Sequence, residues 1–180
     1  MKAILLAAGK GERLRPLTED RPKCMVEYKG KPILEHTLDR LRRAGVTDIS
    51  VVGGYRYEKI RAKGAKIVRN LEYDSTNMVH SLFCVANELV GDVLISYTDI
   101  VYSDKNLKAL MESQGEVSIL VDERWHDLWC QRMDDPLSDA ETLKINDNGA
   151  VREIGKKPKS LRDIDAQYMG MIKLSGSGAK

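Results

Sequence analysis

Residues 1–25 read Met1-Lys-Ala-Ile-Leu-Leu-Ala-Ala-Gly-Lys-Gly-Glu-Arg-Leu-Arg-Pro-Leu-Thr-Glu-Asp-Arg-Pro-Lys-Cys-Met25, and this stretch decides the fold. The apolar run Ala3 to Ala8 predicts a buried strand that breaks at Gly9 and Gly11 into a loop. The loop carries Arg13 and Arg15, with Lys23 further on. Small residues let backbone N–H groups approach an anion closely, and fixed cations then neutralise it. The loop is therefore read as a triphosphate cradle. Its spacing is not G-x-x-x-x-G-K-[ST], and Gly9-Lys10-Gly11 lacks the third glycine of the dinucleotide fingerprint.

Outward from the loop, helical and extended patterns alternate. Leu34, Leu38 and Leu41 form one stripe of a helix over 33–41, ended by Ala44-Gly45. Residues 49–53 predict a second buried strand with Gly53-Gly54 as its exit turn, 57–63 a short helix, and 66–69 a third strand. Ser75-Thr76-Asn77 is an N-cap cluster opening a helix over 78–89. A fourth strand, 92–97, runs out to Asp99; Asp104 caps a helix over 104–113, and 117–121 is a fifth strand. This rhythm predicts an α/β fold, a mostly parallel sheet with helices on both faces. Residues 141–145 and 151–154, around Asp147-Asn148-Gly149, then predict a small antiparallel hairpin. A last strand spans 167–174, and 175–180 read as a linker or loop.

At 180 residues the chain suits one domain, and a formal charge of +2 gives no reason to invoke nucleic acid. Cys24, Cys84 and Cys130 are an odd number without C-x-x-C spacing, which argues for a reducing compartment and against structural zinc. The apolar stretch near Met1 is too short for a signal peptide, and no run approaches a membrane span. The expected location is cytoplasmic, without membrane insertion.

The ordered set L-A-A-G-x-G-x-R-L-x-P-L-T at 6–18, R-P-K-C-M at 21–25 and G-K-P-I-L-E at 30–35 resembles the nucleotidyltransferases that activate phosphorylated sugars and alcohols. The resemblance implies a three-layer α/β/α, Rossmann-like sheet of the nucleotide-diphospho-sugar transferase type. It implies Arg13 on the triphosphate, Lys23 on the reacting phosphates, and the backbone of Leu6, Ala7, Ala8 and Gly9, with Gly11, around the nucleotide. Gly54, Tyr55, Thr76 and Asn77 are further nucleotide-binding candidates.

Transfer of a nucleotidyl group needs no general base, because a phosphate nucleophile is already anionic near neutral pH. In-line positioning, cationic neutralisation and a divalent metal suffice. His36, His80 and His126 are accordingly scattered. Asp99 follows a buried strand, where ligands bind in α/β folds, and Mg²⁺ takes one or two carboxylates plus phosphate oxygens. The resemblance places the main metal ligand at this point. Family members usually continue with a segment that carries a second carboxylate, so the chain is expected to be truncated; Asp139 and Glu141 are the other candidates.

Residues 122–141 hold both tryptophans, Trp125 and Trp129, which would share a helix face, with carboxylates and Arg132 close by. They are either core anchors or a pocket in which aromatic faces and carboxylates take a cation and Arg132 grips phosphate. Asn77-Met-Val-His-Ser81, residues 96–102, 125–141 and 153–157, and Gln167-Tyr-Met-Gly170 resemble the small cytidylyltransferases of phosphocholine, aminoalkylphosphonates and phosphoglutamine. This implies an acceptor-specificity insert at about 122–165, with Trp125, Trp129, Arg132, Glu141 and Tyr168 as acceptor-binding candidates. The expected activity joins CTP to a small phosphorylated amine, amino acid or phosphonate, with Mg²⁺, for a cell-surface or capsule pathway. A homodimer is left open. The alternatives are a sugar-1-phosphate enzyme using dTTP, UTP or GTP, and a non-catalytic nucleotide-binding scaffold.

Overall fold

The computed structural model describes residues 1–179. A six-stranded sheet has the order β5-β4-β1-β6-β10-β7, built from β1 (Lys2–Ala7), β4 (Asp48–Gly53), β5 (Lys66–Arg69), β6 (Val93–Tyr97), β7 (Val117–Asp122) and β10 (Gln167–Leu174). Two short antiparallel pairs accompany it: β2 (Glu27–Tyr28) with β3 (Lys31–Pro32), and β8 (Leu143–Ile145) with β9 (Val151–Ile154). β5, β4, β1 and β6 run parallel, and β10 lies antiparallel to β6. The chain divides into two compact units, Met1–Ser118 with the segment from Gly170 onward, and Ile119–Met169.

β1 is the central strand. Ile4 packs with Val52, Val85, Val93 and Ile95, while Ala3 and Leu5, which alternation sends to the other face, are also fully buried. Burial on both faces is what makes parallel strands read as continuous apolar runs. The chain passes from β1 outward to β4 and β5, then returns to the other side of β1 as β6. That reversal opens a crevice at the carboxyl ends of β1 and β6.

α1 (Ile33–Arg43) buries Leu34, Thr37, Leu38 and Leu41 and carries Arg40, Arg42 and Arg43 in its last turn, where cations suit the helix dipole. Gly45, at φ +84°, follows its end in the left-handed conformation that glycine adopts without strain. α3 (Asp104–Glu112) is capped by Ser103, whose hydroxyl takes the Asn106 N–H in a capping box. Asp104, expected as the cap, instead accepts from Arg40 and Arg43. The ammonium of Lys173, a buried β10 residue, donates to the Met111 and Ser113 carbonyls at the far end of α3.

Two helices are shorter than expected. Only Tyr57–Lys59 forms a 3-10 turn, because Arg56 is left-handed and Ile60 extended. α2 covers Met78–Phe83 alone; Val85 leaves helical geometry to enter the core, and a separate 3-10 turn spans Ala86–Glu88. That break delivers Glu88 into the interior, where its carboxylate accepts from Ser50 Oγ at 2.6 Å, Lys66 Nζ at 2.6 Å and Lys2 Nζ at 3.2 Å. Beyond β10 the expected linker forms a 3-10 turn at Gly176–Ala179, and Lys180 lies outside the described residues.

In the second unit α4 (Trp125–Cys130) precedes the β8–β9 hairpin, whose turn contains Gly149 at φ +82°. Trp125 is buried against Ala140 and Ile164, with Trp129 and Leu137 packed on the cluster. The two indoles meet edge to face with centroids 5.3 Å apart. Among the described residues no helix is long and apolar enough to cross a membrane.

Candidate active site

The crevice at the carboxyl ends of β1 and β6 is a cleft of about 740 Å³. Leu6 to Leu14 line it from the end of β1, Lys23 and Cys24 from the next turn, Tyr73 to Ser81 in part from the loop after β5, and Tyr97, Thr98 and Asp99 from the end of β6. Of the residues expected to bind nucleotide, Leu6, Ala7, Ala8, Gly9, Gly11, Arg13, Thr76 and Asn77 lie on this wall, as do Lys23 and Asp99.

Local physics explains the loop. Gly11 sits at φ +65°, and a Cβ there would stand 3.1 Å from Lys23 Cβ and 3.2 Å from Thr18 Cγ2. Glycine at this position permits both the left-handed backbone and the close approach of the 18–23 segment. Thr18, fully buried, donates its hydroxyl to the Gly11 carbonyl at 2.8 Å, and Leu14 N donates to the same carbonyl at 2.9 Å. These bonds shape the turn Glu12–Leu14 that carries Arg13. At Gly9 a Cβ would meet nothing within 4 Å, so the missing side chain keeps cleft space open.

Lys23 begins the turn Lys23–Met25, held by extended Pro22 on one side and by buried Cys24 on the other. Burial pushes the Cys24 thiol up to about 12, so it acts as an apolar anchor rather than a nucleophile. The Lys23 ammonium donates to Asp99 Oδ2 at 2.6 Å, with both side chains about one-third exposed. The expected catalytic lysine and the expected metal carboxylate therefore touch, joining the turn after the glycine loop to the end of β6.

Gly54 and Tyr55, also expected at the nucleotide, are not among the residues that line the cleft. A Cβ at Gly54 would lie 2.4 Å from Tyr73 Cβ and 2.8 Å from the Ala8 carbonyl. Tyr55 N donates to that carbonyl at 3.0 Å, and its hydroxyl donates to the Glu19 carbonyl at 2.7 Å. The pair braces the glycine loop from behind. Asn77 reaches the wall while capping α2, its Oδ1 accepting from Val79 N and His80 N.

Lys10, Tyr73, Asp74 and Tyr97 also line the cleft, although sequence reasoning did not select them. Lys10 is ion-paired with Asp74. The loop after β5 is fixed by buried Asn70: its Oδ1 accepts from Glu72 N at 2.9 Å, and its Nδ2 donates to Ser81 Oγ at 3.0 Å and Thr76 Oγ1 at 3.3 Å. An asparagine ending a strand just before a flagged turn was the available signal.

Among the acceptor candidates, all in residues 119–169, Trp125 is a core anchor with 3% of its surface exposed. Of the two readings the sequence left open for Trp125, this burial is that of a core anchor. Trp129 and Tyr168 are half-buried, and Arg132 and Glu141 are exposed.

The profile of the MobA-like NTP transferase domain matches residues 3–157. The chain belongs to this family. The glycine loop, Arg13, Lys23 and Asp99 all fall within the matched segment of this NTP transferase domain. A CTP:phosphoglutamine cytidylyltransferase of Campylobacter jejuni is 44% identical over 186 residues, covering 97% of this chain and 73% of the relative. A UTP–glucose-1-phosphate uridylyltransferase of Haloferax volcanii is 35% identical, covering 88% of this chain and 66% of that protein. The structure of a CTP:phosphocholine cytidylyltransferase from Streptococcus pneumoniae superposes with a TM-score of 0.69 over 99% of this chain and 72% of that one. Its identity is 24%, and the likeness is one of fold, the mostly parallel sheet of nucleotide-diphospho-sugar transferases.

Proposed function

We propose that the NTP transferase domain transfers a cytidylyl group from CTP to a small phosphorylated amine or amino acid, phosphoglutamine first among the candidates, and releases pyrophosphate. The observation that carries this reading is the meeting of Lys23 and Asp99 in a glycine-lined cleft that Arg13 also lines. The 44% identity to an enzyme named for CTP and phosphoglutamine supports the choice of substrates.

In this mechanism an acceptor phosphate oxygen attacks the α-phosphorus in line. The new P–O bond forms as the bond to the pyrophosphate oxygen breaks, and pyrophosphate leaves with the electron pair. The backbone N–H groups of the glycine loop cradle the phosphates, and Arg13 offers a planar fork to their oxygens. Lys23 neutralises charge that builds in the transition state. Among the described residues no cluster of three or more His, Cys, Asp or Glu could hold a metal by itself. The Asp99 carboxylate at the end of β6 nevertheless suits Mg²⁺, which is commonly held by one or two carboxylates together with substrate phosphates. Asp99 would be that ligand, and the ion would supply Lewis-acid neutralisation of the phosphates. We assign acceptor selection to residues 119–169, where Trp129, Arg132, Glu141 and Tyr168 remain candidates.

The test is pyrophosphate release with each NTP, Mg²⁺ and a panel of phosphorylated acceptors. Turnover confined to CTP with a small zwitterionic phosphate supports the proposal. A hexose 1-phosphate with UTP as the productive pair would replace it with the second reading, which the uridylyltransferase relative favours. No release with any pair would leave the nucleotide-binding scaffold.

A further inference from the structure

Two lysines line the cleft near the glycine loop, and each is held by an aspartate. Lys23 is on Asp99, and Lys10, which stands between Gly9 and Gly11, is on Asp74. The Lys10 and Asp74 side chains are 37% and 66% exposed. The hydrogen bond to Asp74 raises the Lys10 pKa, so the ammonium stays charged throughout the neutral range. Asp74 does not hang on a loose loop. Asn70 binds Glu72, Thr76 and Ser81 on either side of it, and the neighbouring Tyr73 packs on Gly54.

An exposed lysine–aspartate pair gains little over two hydrated ions and is readily exchanged. Phosphate oxygens offer an ammonium a partner of higher charge. We propose that Lys10 is a phosphate-binding residue for the nucleotide triphosphate, and that Asp74 is its counter-ion in the ligand-free cleft, a competitor that the nucleotide displaces. The inference rests on the reading that this cleft takes a metal–triphosphate. It adds a third cation to Arg13 and Lys23, and it gives Asp74 an antagonistic role.

The experiment is calorimetric titration with CTP and, in parallel, UTP, in the presence of Mg²⁺ and without acceptor, on the wild type, Lys10→Ala, Lys10→Arg, Asp74→Asn and the Lys10→Ala/Asp74→Asn double variant. Lys10→Ala should bind about tenfold more weakly, as expected for loss of one charge-assisted contact, and Lys10→Arg should recover most of that loss. Asp74→Asn should bind about threefold more tightly, and should have no effect once Lys10 is alanine. A merely structural Asp74 would weaken binding when replaced. Weaker or unchanged binding in Asp74→Asn, or unchanged binding in Lys10→Ala, overturns the inference while leaving the triphosphate reading intact. A wild type that binds neither nucleotide overturns both.

Discussion

Glu88 should control the acid stability of the protein without touching its chemistry. Burial alone would raise its carboxyl pKa, but hydrogen bonds from Lys66, Ser50 and Lys2 outweigh that and bring it from an ordinary 4.5 down to about 2. Because the folded-state pKa lies below the unfolded one, the unfolded chain binds the extra proton first. The stabilisation is therefore complete above about pH 5.5, and is lost as pH falls through 4.5 towards 2. A shift of this size corresponds to about 3 kcal/mol. Lys66 is 60% exposed on its side chain, and solvent screening there reduces the expectation to about 2 kcal/mol. Glu88→Gln should lower stability at pH 7 by that amount and flatten the acid limb of the stability curve by as much as one proton. The assay is urea unfolding at a series of pH values, followed by far-UV circular dichroism. Tryptophan emission is the wrong probe, because both indoles lie in residues 119–169. Glu88 contacts the first residues of β1 and β5, at the sheet end away from the cleft, so activity per folded molecule should hold. A variant within about 0.5 kcal/mol of wild type, or one with an unchanged pH profile, would refute the account.

The remaining predictions concern the cleft. Lys23→Ala and Asp99→Asn should each lower kcat by about a hundredfold or more with an unchanged circular dichroism spectrum; near-normal turnover removes that residue from the mechanism. Gly11→Ala combines a left-handed backbone with a 3.1 Å approach to Lys23 Cβ, and should cost about 1–2 kcal/mol in unfolding experiments as well as raise KM for CTP. Alkylation followed by mass spectrometry should find exposed Cys130 modified readily and Cys24, with its thiol near 12, protected until the protein unfolds.

The strands were legible because burial on both faces leaves mostly apolar runs, as in β1, β4 and β6, where Ser50 and Ser96 are the small polar exceptions. Helix α1 was legible because Leu34, Leu38 and Leu41 recur at helical spacing before a glycine stop. The failures are non-local. Nothing around residue 88 says that a glutamate in an Ala-Asn-Glu-Leu stretch is buried, since its partners arrive from three different strands. The same burial breaks the long helix expected over 78–89. Of the candidates, the ordered glycine–arginine–lysine motif pointed to Leu6 to Gly9, Gly11, Arg13 and Lys23, and position at a strand end pointed to Asp99; all of these line the cleft. Lys10 and Asp74 carry no such signature, because their meeting depends on the loop after β5 folding back beside the loop after β1. Trp125 was ambiguous on its own, since aromatic residues serve cores and pockets alike; only the surrounding Ala140 and Ile164 decide.

β1 is hydrogen-bonded on both sides, to β4 and β6, and Ala3, Ile4 and Leu5 are wholly buried. Its amides should consequently be among the last to exchange with deuterium, opening only when the whole unit opens. The glycine loop hangs directly from the end of that strand. The floor of the cleft is thus anchored to the most slowly opening part of the sheet, and adaptation to different ligands falls to the loops around it. In a lineage that trades one phosphorylated acceptor for another, the rim can drift residue by residue while the cradle stays where the sheet holds it.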